Sequence, residues 1–568
     1  MNKFKYFLNK HKGALLVVLL ASTLRFYKLS DFPPSLNWDE ISHGFNAYSI
    51  LKTGLDEWGV SFPTIFKAYG DYKLPVYIYL TAIQEFIFGL NDFSVRMTSV
   101  LAGIGIVIFS YLLAKKLWGQ KVGLVSALLV AIEPWSFFLS RGAFEANVGQ
   151  FFIVSGIYLF VKGLEKHSLL GISSLFLGLS LWTYNSDRVF VPLLVGALLL
   201  LYKNTLNIIW RNSKNNLILP AFIFAIFFVP TIYQLGFEQA GTARYENVAI
   251  IDQGAINQIE NARSTSKMSP LLSRFAYNKI TYFAVRFGQN YLSHFSLNFL
   301  FINGGDNYQF NVQGKGLLYP VDLVLILLGL YYLFKNRREK FSQLLFIWLF
   351  LAPITASLTR ESPHALRSIT MLPVPMILSA LGIYVASGWL NKNKATKTTS
   401  LILLVLVYAM FGLSYYKAYF NDYTKNYSQA WQYGYKETVN YIKNNYNNYD
   451  QIIITKKYGE PHEFLLFYWS WNPDKYRNDP KLVRYTQSGW YWVDGFDKFI
   501  FVNDWDIPKN ENKGWKTEQD KPIDVTSKTL LITSPNMYPQ GWKKLETINF
   551  LDNKPAFDIL ENDVANNQ

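Results

Sequence analysis

Long stretches without a charge alternate along the chain with short clusters of Lys and Arg. Gly13 to Leu24, Ser99 to Ala114 and Leu401 to Leu413 carry no charged residue. With their aromatic flanks such runs approach the roughly 20 apolar residues a helix needs to cross a bilayer. They are apolar on every side, whereas a surface helix of a soluble protein keeps a polar face. The basic clusters orient these helices, because Lys and Arg stay on the cytoplasmic side. With the Lys-rich N-terminus inside, eleven spans are expected, near residues 13–30, 97–114, 122–139, 147–163, 168–184, 189–202, 217–235, 317–334, 341–357, 369–389 and 399–415. The semi-apolar segments Pro75 to Gly89 and Ile280 to Leu300 would upset this parity if they crossed. Both are expected to lie in the outer interface, and the first helix is expected to be retained rather than cleaved as a leader.

From about Lys417 polar and aromatic residues replace the apolar runs. Strands are predicted at Gln451 to Thr455, Lys498 to Val502 and Thr529 to Thr533, and helices at Ala430 to Tyr446 and Glu463 to Trp469. The expected fold is therefore a polytopic α-helical membrane protein of about eleven transmembrane helices with a small C-terminal α/β domain outside the cytoplasm. The boundaries are 1–416 for the transmembrane catalytic domain, with outer loops at about 31–96 and 237–316, and 417–568 for the C-terminal domain. The Trp and Tyr residues of the tail, Trp431, Trp469, Trp471, Trp490 and Trp492 among them, are expected to build that domain's core.

A net charge of +15 in a soluble chain would suggest a nucleic-acid partner. Here the cations sit in short loops between apolar runs, so membrane lipids are the expected surroundings and nucleic acid is not a partner. The absence of cysteine excludes disulfides and thiolate metal sites.

The chemistry-bearing residues cluster in the outward loops. Asp39 and Glu40 follow the first helix; being adjacent, they point to different sides of any regular element, and at most one faces a given site. Lys73 precedes Leu74-Pro75 at the membrane surface, where it either partners a phosphate or snorkels to the interface. Arg141 and Glu145 stand one helical turn apart, which also suits a simple ion pair. Asn185, Asp187 and Arg188, then Arg360, Glu361, His364 and Arg367, occupy later outer loops. Carboxylates and cations from distant parts of the chain are thus expected on one side of the membrane.

These segments resemble the GT-C glycosyltransferases, specifically the protein O-mannosyltransferase and aminoarabinose-transferase group. The resemblance is carried in order by Asp39-Glu40, by Tyr72-Lys73-Leu74-Pro75 with Leu74 in place of a Pro, and by Asn91-Asp92-Phe93-Ser94-Val95-Arg96. It continues through Leu117-Trp118-Gly119, Ser140-Arg141-Gly142-Ala143-Phe144-Glu145, Pro363-His364-Ala365-Leu366-Arg367 and Leu372-Pro373, covering residues 1–420. It implies a polyprenyl-phosphate sugar donor and inverting transfer to a protein, lipid or glycan acceptor outside the cytoplasmic membrane. It also implies Asp39 as catalytic base, Glu145 as the second acidic residue and Lys73 as the phosphate contact.

Sugar transfer passes through an oxocarbenium-like state. A carboxylate removes the acceptor's proton, and Lys or Arg stabilises the departing phosphate. Asp39 is therefore the expected base, with Glu40 or Glu145 positioning the acceptor. Lys73, Arg141, Asn185, Arg188, His364 and Arg367 are the expected substrate-binding set. No cofactor is required and no metal ligands are assigned. The alternatives are a metal-dependent oligosaccharyltransferase, with a divalent ion on Asp39 and Glu145 and a loose motif echo at Trp490-Tyr491-Trp492-Val493-Asp494, and a transporter of lipid-linked sugars.

Overall fold

A computed structural model describes residues 2–238, 241, 248–390, 394–509 and 514–562, with the backbone alone for residues 2–10. Lys392, one of the expected inside charges, and residues 239–240 and 242–247 of the second outer loop lie outside the described residues. The first eleven helices are α1 (Asn2–Phe26), α2 (Trp38–Thr53), α3 (Pro75–Phe88), α4 (Asp92–Trp118), α5 (Gln120–Ile132), α6 (Pro134–Leu139), α7 (Glu145–Gly163), α8 (Ser168–Leu181), α9 (Asp187–Leu201), α10 (Lys203–Asn212) and α11 (Asn215–Phe237).

The chain forms two compact units, one of residues 1–27 and 99–418, the other of residues 28–98 and 419–568. The first outer loop, expected to belong with the transmembrane domain, thus groups with the C-terminal segment.

The first unit is a bundle of apolar helices. Among the described residues, five helices are long and apolar enough to cross a membrane: Asp92–Trp118, Asn215–Phe237, Lys340–Ser357, Ile369–Trp389 and Lys394–Asn426. The α9–α10 pair adds a sixth if its 76° bend is one broken span. The eleven expected spans exceed this number for local reasons. The α5 helix stops after 13 residues at Glu133, where Pro134 opens α6, and α8 has 14 residues. Close helix approach uses small residues, as expected where apolar solvent gives no hydrophobic drive between helices. Gly329 and Gly382 let the helices Pro320–Lys335 and Val374–Trp389 bring backbone against backbone, and a Cβ at either would collide with a carbonyl of its neighbour.

The second unit contains α2, α3, the hairpin β1 (Phe66–Ala68) and β2 (Asp71–Lys73), and a seven-stranded sheet. That sheet is built from β3 (Gln451–Thr455), β4 (Val483–Gln487), β5 (Trp490–Phe496), β6 (Phe499–Val502), β7 (Thr529–Thr533), β8 (Lys543–Asn549) and β9 (Pro555–Glu561), in the order β4-β5-β6-β3-β7-β9-β8. The three central strands are parallel and the rest antiparallel. Parallel strands are covered on both faces and read as continuous apolar runs; Ile452, Ile453 and Ile454 of β3 and Leu530, Leu531 and Ile532 of β7 are all buried. The edge strand β8 carries exposed Lys543 and Lys544, which discourage pairing with another chain. The helices Tyr435–Asn445 and Pro461–Trp469 pack through Tyr435 stacked on Phe464 at 4.1 Å. Of the tail's tryptophans, Trp431 is fully buried, whereas Trp469, Trp471, Trp490 and Trp492 are half-buried.

Candidate functional site

Asn37 starts α2. Its side chain accepts the Glu40 backbone N–H at 3.0 Å, and the Glu40 carboxylate accepts the Asn37 N–H at 3.1 Å. This reciprocal cap satisfies two donors that the first helical turn leaves open. It also fixes the directions of the two acids. Glu40 is buried and receives Arg96 through two parallel bonds, Nε to Oε1 at 2.9 Å and Nη2 to Oε2 at 3.0 Å. Arg96 spends its remaining donors on the carbonyls of Leu29, Pro33 and Ser35. Asp39, one residue earlier, lies on the other side, with its side chain 46% exposed.

Asp39 Oδ1 accepts from Lys73 Nζ at 2.7 Å. The lysine is buried and ends β2, whose pairing with β1 places it opposite Phe66. Pro75 follows as the first residue of α3 and continues the chain from the ammonium-bearing strand directly into a helix. The hairpin turn is held by the C-terminal sheet: the Tyr491 N–H donates to the Tyr69 carbonyl at 2.9 Å, and the Tyr69 ring stacks on Trp490 at 5.8 Å. Trp490 also passes so close to Gly70 that a Cβ there would meet its ring. The Tyr69 hydroxyl donates to the Trp38 carbonyl at 2.8 Å, and the Trp38 N–H donates to Gln432 Oε1 at 2.7 Å. Burial pushes the Tyr69 phenol well above its usual range, and the charges of Glu463, Glu460, Asp39 and Glu57 act in the same direction, so it remains a donor. Three segments distant in sequence therefore hold the Asp39–Lys73 pair.

The remaining expected residues lie in the first unit. Arg141 is buried and donates to the carbonyls of Leu24, Arg25 and Tyr27, at the C-terminal end of α1. A cation there satisfies carbonyls that the helix leaves open. Glu145 is half-buried in the first turn of α7. Asn185, Arg188 and Arg367 line one cavity of about 160 Å³. Arg188 donates to Gln234 Oε1 at 2.7 Å, and Arg367 to Thr359 Oγ1 at 3.0 Å and Glu361 Oε2 at 3.1 Å. His364 is buried beside Phe310, with ring centroids 5.0 Å apart, and its Nδ1 accepts the Arg367 N–H at 3.3 Å. Structure thus groups Asp39 with Lys73, Glu40 with Arg96, and Asn185 with Arg188 and Arg367.

Gln432, Tyr69 and Trp490 support the Asp39 segment without any local sequence signal. Trp490 belongs to β5, and Asp494 of the same strand is buried against Lys456. Among the described residues, one group of three His and carboxylate side chains, Glu57, His462 and Glu463, has metal-ligand spacing.

Residues 72–233 match a family described as dolichyl-phosphate-mannose-protein mannosyltransferase. YkcB of Bacillus subtilis strain 168, whose name carries a mannosyltransferase assignment, is 26% identical over 130 residues. That stretch is 23% of this chain and 18% of YkcB, so the chain spans less than a fifth of that relative. ArnT of Cupriavidus metallidurans, solved with undecaprenyl phosphate, superposes with a TM-score of 0.58 at 11% identity, over 98% of this chain and 99% of ArnT. An Archaeoglobus fulgidus oligosaccharyltransferase tethered to an acceptor peptide gives 0.50 at 14% identity, over 78% of this chain and 58% of its own. At such identities these two likenesses are of fold. The family match thus covers 162 of the chain's 568 residues, and the ArnT likeness extends over nearly the whole chain as one of fold.

Proposed function

We propose that the chain is an inverting glycosyltransferase that moves a sugar from a polyprenyl-phosphate carrier to a protein, lipid or glycan acceptor on the outer side of the cytoplasmic membrane. In this reading the N-terminus is cytoplasmic and the Asp39 segment and C-terminal sheet are outside. The observation that carries it is the Asp39–Lys73 pair: a half-exposed carboxylate joined at 2.7 Å to a buried ammonium. The two groups suit the two charges that sugar transfer moves. The acceptor O–H bond breaks and its proton passes to Asp39. The acceptor oxygen bonds to the anomeric carbon as the bond from that carbon to the phosphate oxygen breaks, and the electron pair leaves with the phosphate. A single displacement of this kind inverts the anomeric centre.

Lys73 serves both stages. Before the donor binds it pairs with Asp39; a donor phosphate competes for the same ammonium and releases the carboxylate to act as base. Asn185, Arg188 and Arg367 on their shared cavity are the proposed anion-binding set of the first unit, since guanidinium groups give the planar, two-point contact that phosphate favours. Arg141 and Glu40 have structural partners that account for their charge, so their proposed part is to hold α1 and α2 in place. Glu145 and His364 are kept as acceptor- and phosphate-contacting residues respectively. ArnT was solved with undecaprenyl phosphate, which supports a carrier of that class. The transfer is proposed to need no cofactor.

Lipid-linked sugar profiling tests the proposal. Cells lacking the chain should accumulate one polyprenyl-phosphate sugar, and wild-type protein should clear it. An Asp39→Asn chain present at wild-type level should leave it uncleared. Clearance by that variant would overturn the base assignment, and an unchanged lipid profile in the deletion would overturn the donor class.

A further inference from the structure

The second unit buries a group of charges that the transfer reaction does not use. Glu57 follows α2 in the loop before the β1–β2 hairpin, while His462 and Glu463 open the helix Pro461–Trp469. All three are buried, and one ligand-type atom from each lies within 4.8 Å of the other two. Neither ring nitrogen of His462 makes a hydrogen bond, nor does Glu463 Oε2. Buried polar atoms are nearly always partnered, so these open positions need a reason.

We propose that Glu57, His462 and Glu463 bind a divalent transition-metal cation of the zinc class, which ties the first outer segment to the C-terminal sheet. The surrounding residues already have the arrangement of a second shell. Glu460 Oε2 stands 3.5 Å from His462 Nδ1, and its other oxygen receives the Trp490 indole N–H at 2.8 Å. Metal-bound histidines commonly turn one nitrogen to a carboxylate, which orients the ring and leaves the other for the ion. That other nitrogen, Nε2, is 4.0 Å from Glu463 Oε1. Bonds of about 2.1 Å to nitrogen and oxygen place tetrahedral ligand atoms about 3.4 Å apart, so a shift of well under ~1 Å would bring this pair to ligand spacing. The Tyr491 hydroxyl sits 3.1 Å from Glu57 Oε1 and 3.4 Å from Glu463 Oε1 and steadies both carboxylates. Arg484 Nη2 lies 3.4 Å from Glu57 Oε1.

Charge makes the same point. Glu57, Glu460 and Glu463 are buried together, with Arg484 beside Glu57 and Lys456 acting more weakly on Glu460. Buried anions need a compensating cation or a proton. Trp490 bonds to Glu460 and stacks on Tyr69 in the β1–β2 hairpin. This ion is structural and stands apart from the transfer chemistry, so its loss would leave the assignment of Asp39 intact.

The test uses the full chain in detergent, stripped with EDTA and desalted. Added Zn²⁺ should bind at one per chain, counted by elemental analysis and calorimetry, with a rise in Tm of roughly 3 °C or more at saturation. Glu463→Gln keeps the side-chain shape and should lower the bound metal to about a tenth or less under the same conditions. Glu460→Gln keeps all three ligands and should weaken the affinity about 10–100-fold. Wild-type chain that takes up no Zn²⁺ overturns the proposal, and so does a folded Glu463→Gln chain with undiminished uptake. Should that variant fail to fold, wild-type uptake with no Tm change also overturns it.

Discussion

Asp39 and Glu40 are consecutive acids in one helical turn, and each pairs with a cation, yet the two pairs differ in burial and geometry. Glu40 and Arg96 are wholly buried, share two parallel bonds and leave no free donor on the guanidinium toward solvent. Asp39 is half-exposed and meets the buried Lys73 ammonium at 2.7 Å. A buried pair is fixed because breaking it strands a charge in a low-dielectric interior. Where water reaches the carboxylate although the ammonium is buried, as in Asp39–Lys73, the pair contributes less to stability than one buried at both ends. Helical geometry assigns one acid to the fold and frees its neighbour for chemistry.

The comparison breaks most visibly at the buried pair. Glu40→Ala removes one arm of the helix cap and leaves Arg96 unpaired, so thermal unfolding should show a loss of about 3–5 kcal/mol. Lys73→Met should behave oppositely. Stability should change by no more than about 1 kcal/mol, while turnover of lipid-linked sugar falls about 100-fold, the usual cost of losing one stabilising donor. Asn37→Ala tests how far the cap alone separates the two acids; it should cost about 1 kcal/mol and lower turnover only in proportion to the loss of folded helix.

The smallest effect belongs to a pH response far from both pairs. Burial tends to raise the Asp558 carboxyl, but Lys544, the Asn536 N–H and the Thr547 hydroxyl outweigh it and hold the group below the usual carboxylate range. A depressed pKa stabilises the fold above the unfolded value near about 3.9, and that contribution disappears as pH falls toward the folded value. The unfolding midpoint should therefore decline below about pH 4. Asp558→Asn should flatten that part of the decline while lowering stability at neutral pH by about 1 kcal/mol.

The patterns most legible in the sequence were those that one continuous run encodes. The apolar runs Gln451–Thr455 and Thr529–Thr533 became β3 and β7 at the expected bounds, because central parallel strands need no polar alternation. The outer strands β4, β5, β8 and β9 mix aromatic, charged and apolar residues and were not legible. Helix breaks were equally hidden: residues 187–212 read as an apolar run followed by a basic loop, yet form two helices at 76°. Asp39 and Lys73 were legible singly, from their order after the first helix. Their contact depends on the β1–β2 hairpin, and that hairpin on Trp490. Gln432 reaches Trp38 across 394 positions, and His462 and Glu463 meet Glu57 across more than 400, distances at which no local pattern operates.

The most direct measurement is turnover of the lipid-linked sugar by Asp39→Asn chain, with the thermal midpoint read on the same purified sample. A base at this position predicts turnover reduced about 100-fold or more, with a midpoint within roughly 2 °C of wild type. Wild-type turnover would contradict it, and so would a loss of turnover that merely follows a lost fold.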